Sequence, residues 1–165
     1  MSKPKRQLYL WGMKEYEDLE NRKPLLLQEP AAIYHRYGHD IDSTLTIALK
    51  AAEGLKAQAL CDFERISGLS KLAVAKFLHV TSRSLSRYME EDRKLDSAKS
   101  ESLLKLIALY KKGTDVLGSK DEFNSWLAKP AFGLRNMVPF QLMETSSGID
   151  LIDEELDRIA YGDVL

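Results

Sequence analysis

The chain has one cysteine, Cys61, among its 165 residues. That excludes an intramolecular disulfide and a cysteine-built zinc cluster, and it fits a reducing compartment. No apolar run approaches the ~18 residues a membrane span requires. The basic start, Met1-Ser2-Lys3-Pro4-Lys5-Arg6, precedes only a short apolar stretch, Leu8 to Trp11, and Lys14, Glu15, Glu17 and Asp18 follow at once. A signal peptide needs an uninterrupted apolar core there, so a cytoplasmic protein is expected. There is no convincing strand alternation, no internal repeat and no low-complexity tract. No phosphate loop, dinucleotide fingerprint or nucleophile elbow appears, so neither an enzyme nor a bound cofactor is expected. His35 and His39 stand four apart, a zinc-compatible spacing on a helix, but Gly38 interrupts it and no third ligand is evident. Both read as solvent-exposed, and no metal site is assigned.

Charge of one sign is also missing: the formal net charge is -1. Its distribution is uneven. From Arg65 to Lys94 the cations Arg65, Lys71, Lys76, Arg83, Arg87, Arg93 and Lys94 face only Glu90, Glu91 and Asp92. Beyond residue 140, Glu144, Asp150, Asp153, Glu154, Glu155, Asp157 and Asp163 face only Arg158. The first segment suits phosphate, and the second suits a different partner.

What is present is helical periodicity, and the expected class is all-α. Pro4, Pro24 and Pro30 make residues 1–40 read as an irregular arm with a short helix around Met13–Asn21, because proline restricts its neighbours and lacks a backbone donor. The aromatics Tyr9, Trp11 and Tyr16 lie in it. Asp42 or Ser43 caps a helix to Glu53, with Gly54 after it. A second helix covers Ala57 to Ile66, with Cys61 as a small core residue, and Gly68 ends it. A third runs from Lys71 to Leu78, with Leu72, Ala75 and Leu78 inward. Thr81 or Ser82 caps a fourth, to Glu90. A fifth carries Leu103, Leu104, Ile107, Ala108 and Leu109 and closes at Gly113. Asp121 to Ala128 forms a short helix. Pro139 fits the first position of a helix to Glu144. The last helix, Ile149 to Ala160, sets Leu151, Ile152, Leu156 and Ile159 on one face.

Ser70 to Tyr88 has the design of a helix-turn-helix. Ala75 is small enough for a close crossing, Val80 plugs the core after the turn, and Leu85 docks the second helix. The outward face then carries Ser82, Arg83, Ser86 and Arg87, suited to base edges in a major groove. Lys71, Thr81, Arg93 and Lys94 are candidate phosphate contacts. His79 is out of keeping, since a tight turn often holds glycine there.

Further residues carry a resemblance. Gly68-Leu69-Ser70, Phe77-Leu78-His79-Val80-Thr81 and Leu85-Ser86-Arg87-Tyr88 are followed by Trp126-Leu127, Pro130, Leu134, Pro139, Leu142, Thr145, Gly148, Ile159 and Gly162. In these the chain resembles the MbcA/ParS/Xre antitoxin family over residues 43–165. The family pattern has leucine-glycine-glycine where this chain has Leu134-Arg135-Asn136. Arginine tolerates left-handed backbone poorly, so a differently shaped loop is expected.

The resemblance implies an antitoxin encoded beside a RES-domain toxin that consumes NAD. It implies binding to that toxin, obstruction of its active site by C-terminal residues, and repression of the shared operon. Residues 1–41 are then an arm, 42–114 an Xre-like helix-turn-helix domain, and 120–165 a toxin-binding domain. Candidate toxin contacts are Trp126, Leu142, Leu156, Ile159, Tyr161, Asp163, Val164 and Leu165. The acidic tail suits arginine-rich pockets that hold NAD phosphates. Expected partners are the toxin, operator DNA, and further copies in a homodimer or a larger assembly with toxin. Two other readings stay open. One is a stand-alone transcriptional regulator with a ligand pocket in its C-terminal half. The other is an interaction protein whose helix-turn-helix only dimerises.

Overall fold

The structure is a computed structural model, and it describes residues 29–162. The expected helix at Met13–Asn21, the Tyr9, Trp11 and Tyr16 cluster, and Asp163, Val164 and Leu165 lie outside these residues. Among the described residues every regular element is a helix, apart from an isolated bridge between Ala131 and Met137. In chain order they are α1 (Pro30–Arg36), α2 (Thr44–Glu53), α3 (Gln58–Ser67), α4 (Lys71–Phe77), α5 (Ser82–Glu90), α6 (Ser97–Leu117), α7 (Lys120–Leu127), a 3-10 turn (Phe132–Leu134), α8 (Pro139–Leu142) and α9 (Ser146–Tyr161). No described helix is long and apolar enough to cross a membrane.

The axis of the molecule is α6, 21 residues long. At 1.5 Å per residue it extends about 31 Å. Asp96 starts it by accepting a hydrogen bond from the Lys99 amide, and Gly118, in left-handed geometry, ends it. Leu103, Leu104, Leu106, Ile107, Leu109 and Tyr110 are all buried. They cover more than one side of the helix, as a core helix requires. Helices α2, α3, α7 and α9 pack around it.

Gly113 does not close this helix but lies within it. A Cβ there would sit 2.5 Å from the Phe123 ring, so the glycine makes room for α7 to cross. Phe123 is buried, with its ring centroid 5.0 Å from that of Tyr110. Packing therefore continues across residues 114–120, and one apolar cluster runs from Ile33 to Leu156.

The last part of the expected arm belongs to this cluster. Pro30 opens α1, and Ile33, Tyr37 and Ile41 are buried. Two other expected core positions face water. Leu72 is exposed, and Val74, Ala75, Phe77 and Leu78 carry the buried side of α4. Leu151 is exposed on α9, where Ile152 and Leu156 face inward. Helix α9 also starts earlier than expected, because Thr145 caps it by accepting from the Gly148 amide. Cys61 is half-buried rather than in the core, and burial, aided by Glu64 and Asp62, pushes its thiol above the ordinary range.

Candidate functional site

Helices α4 and α5 form two short rods joined by a tight turn. Ser70 caps the first by accepting from the Ala73 amide, and Thr81 caps the second by accepting from the Ser84 amide. Such caps contribute about 1 kcal/mol each and fix where each helix begins. Ala75 and Leu85 are buried where the helices cross, and Val80 packs partly into the core. The turn closes with His79 N–H to the Lys76 carbonyl at 3.1 Å and Val80 N–H to the Ala75 carbonyl at 3.0 Å.

His79 takes a left-handed backbone, φ 53°, without being glycine. Its side chain shows what holds it there. Nε2 lies 2.8 Å from the Glu144 carbonyl oxygen, which can only accept, so Nε2 carries the proton of this bond. Lys76 Nζ pairs with the Glu144 carboxylate at 2.6 Å. The turn is thus fastened at two points to the segment that follows α8.

The outward face of α5 lines an open concavity of about 400 Å³ with Arg83, Ser84, Ser86, Arg87, Glu90 and Glu91. Arg83 and Arg87 are exposed. Ser82 is half-buried, and its carbonyl accepts from the Ser86 hydroxyl at 3.1 Å. Lys71 donates to Ser86 Oγ at 3.3 Å, joining the start of α4 to this face. Thr81 is exposed at the helix start. Arg93 and Lys94 do not line the concavity. Arg93 lies over the Tyr88 ring and 3.5 Å from Glu91, and Lys94 donates to the Glu53 carbonyl at 3.1 Å.

In the C-terminal half, Trp126 is half-buried and stacked on Phe123, with ring centroids 6.1 Å apart. Leu142 and Ile159 are half-buried. Leu156 is fully buried, so it packs its own core and cannot meet a partner in this conformation. Tyr161 is 83% exposed at the end of α9. Asp150 pairs with Lys105, and Asp153 and Asp157 pair with Lys112, each at 2.8 Å. These ion pairs link α9 to α6. His35 and His39 are both exposed, ring edge to ring face with centroids 4.6 Å apart.

The segment between Ala131 and Met137 carries residues that sequence reasoning passed over. Arg135 and Asn136 both take left-handed backbone, φ 56° and 61°. Both residues thus hold a backbone conformation that glycine favours. Its backbone is closely bonded: Ala131 N–H to the Met137 carbonyl at 3.0 Å, Leu134 and Asn136 N–H to the Ala131 carbonyl at 3.1 and 2.9 Å, and Arg135 N–H to the Phe132 carbonyl at 3.0 Å. Ala131 and Leu134 are buried, while Phe132 is 78% and Met137 48% exposed. The signal available in sequence was the position of Phe132 and Met137 between Pro130 and Pro139, where chain reversal leaves no continuous inward face.

A left-handed arginine costs about 1 kcal/mol relative to glycine. Arg135→Gly should therefore stabilise the fold by about 0.5–1 kcal/mol in urea unfolding. A loss of stability would mean that the arginine side chain holds the loop by contacts stronger than the strain.

Residues 112–162 match the model of the antitoxin Xre/MbcA/ParS C-terminal toxin-binding domain. A 97-residue stretch, 58% of this chain, is 24% identical to Antitoxin Xre of Yersinia enterocolitica. Both matches point to the Xre/MbcA/ParS antitoxins as what this chain is similar to. The stretch spans 66% of that relative's length. The fold agrees. A chain of the M. tuberculosis MbcT-MbcA toxin-antitoxin complex superposes with a TM-score of 0.53 at 19% identity, over 66% of this chain and 96% of that one. The region that matches the family model begins near the end of α6 and takes in α7, the 131–137 loop, α8 and α9.

Proposed function

We propose that this chain is a cytoplasmic antitoxin without enzymatic activity of its own, and that it neutralises a RES-domain, NAD-consuming toxin by covering its active site. The observation that carries the reading is the match of residues 112–162 to a toxin-binding domain model. The same chain represses its own operon through α4 and α5. Arg83 and Arg87 face a major groove, Ser82 assists at bases, and Lys71 and Thr81 meet the flanking phosphates. A dimer, or a larger assembly with toxin, sets two α5 helices about 34 Å apart, one helical turn of DNA. The bonds from His79 and Lys76 to Glu144 support a firm connection between the two working ends.

The test is co-expression with the product of the adjacent gene, followed by an NAD-consumption assay. The full chain should bind that product and silence NAD loss. A chain ending at Ala160 should neutralise poorly while melting near the parent temperature, since Tyr161 is 83% exposed and contributes little to the core. In a gel shift with the operon's own promoter, Arg87→Ala should weaken binding by about 1–3 kcal/mol. Full NAD loss in the presence of the intact chain would sink the antitoxin role. Promoter binding that survives loss of both Arg83 and Arg87 would sink the role of α5.

A further inference from the structure

Among the described residues, the most exposed aromatic side chain outside the end of α9 is Phe132, 78% exposed, on a loop that is otherwise well anchored. We propose that the 131–137 loop is a preformed anchor for the toxin, with Phe132 seated in an apolar pocket of that partner and Arg135 and Met137 beside it. This inference rests on the antitoxin reading above and adds the point of contact, which is distinct from the C-terminal tip.

The loop is divided into two sides. Ala131 and Leu134 point into the core and are buried, whereas Phe132 and Met137 point out. The outward pair contributes little to this chain's own fold, yet both are large and apolar. Clustered exposed apolar side chains mark interaction surfaces, while isolated ones need no explanation. Arg135 is exposed between them, and it has no ion pair among the described residues. Aromatic residues and arginine are the types that dominate interface energetics.

The loop is also held still. The backbone bonds from Ala131, Leu134, Arg135 and Asn136 close it on itself. Gly133 lies so close to α9 that a Cβ would fall 2.1 Å from the Glu155 carboxylate, so the loop is seated on that helix. A rigid anchor loses little conformational freedom on binding, and this is how a small surface becomes a strong one. The occupant follows from position. The loop lies inside residues 112–162, the region matching a toxin-binding domain, and none of its residues lines the α5 concavity. The partner surface it fits is an apolar pocket wide enough for a phenyl ring, with a carboxylate at its rim for Arg135.

The experiment uses the full chain and the purified product of the adjacent gene, with affinity measured by calorimetry. Phe132→Ala should weaken binding at least ~30-fold, the level of an interface hot spot. Its melting temperature and its promoter gel shift should match the parent, because the ring is not part of the core. Leu45→Ala removes a similarly exposed side chain, 68%, from α2 and should leave affinity unchanged. If the parent binds and Phe132→Ala binds within 3-fold of it (about 0.6 kcal/mol), the anchor is elsewhere and the antitoxin reading stands. If the parent itself does not bind, both fall together.

Discussion

Gly148→Ala should lower the stability of this protein by about 3 kcal/mol, near the upper end of overpacking costs. Gly148 stands in the first turn of α9, where its amide donates to Thr145 Oγ1 at 3.0 Å. A Cβ there would lie 1.9 Å from the Leu142 carbonyl oxygen. That oxygen belongs to the backbone at the end of α8 and accepts from the Thr145 amide at 3.3 Å, so it cannot swing away as a side chain would. The sign is informative. Alanine in place of glycine within a helix ordinarily stabilises by about 0.5–1 kcal/mol. A destabilised variant therefore reports the crossing of α8 and α9 and not helix propensity. Urea unfolding followed by circular dichroism measures it, with the exposed neighbour Ser147→Ala as control. Stability equal to or above the parent would show that the two helices separate at little cost. The same junction carries the Glu144 bonds to His79 and Lys76, so its loosening should also reach the α4–α5 turn.

What could be read from sequence and what could not divides by range. The caps at Ser70 and Thr81 and the stops at Gly54 and Gly68 are local chemistry, and the helices begin and end there. The outward position of Arg83 and Arg87 follows from helical period alone, once Leu85 is taken as the inward residue. Gly113 was misplaced because its reason is Phe123, on another helix. Leu72 and Val74 compete for the inward side of a seven-residue helix, too short for periodicity to choose. The ion pairs of the α9 carboxylates are not local, since their lysines stand 41 and 45 positions earlier, on α6. Prolines near the N-terminus suggested an arm through residue 41, yet Ile33, Tyr37 and Ile41 are core residues. Within the C-terminal half, Leu156 looked like a contact because it is apolar and near the end, and burial removes it.

The buried carboxylate of Asp62 explains how α1 joins the fold, and Asp62→Ala should cost about 3 kcal/mol. Asp62 is 1% exposed. Its two oxygens accept from Arg36 at 2.9 Å each, from the Tyr37 hydroxyl at 2.6 Å and from Gln58 at 3.2 Å. Three side chains from α1, its C-terminal flank and α3 thus converge on one anion. Burial, and the bond to Asp62, hold the Tyr37 phenol well above the ordinary tyrosine range. It therefore stays a donor across the physiological range. Removing the carboxylate leaves that buried hydroxyl without the acceptor it now has, while Arg36, at the surface, can turn to water. The expected loss is therefore at the lower end for a broken buried pair, about 3–5 kcal/mol. Tyr37→Phe removes one of the four hydrogen bonds and leaves the carboxylate the others, so it should cost only about 1 kcal/mol. The loss in the double variant should fall short of the sum of the two single losses by at least about 0.5 kcal/mol, as groups in one network do. Urea unfolding of the parent, the two single variants and the double variant gives all four values. Additive losses would mean that Tyr37 and Asp62 act independently, and that the apolar contacts of Ile33 and Ile41 hold α1 in place instead.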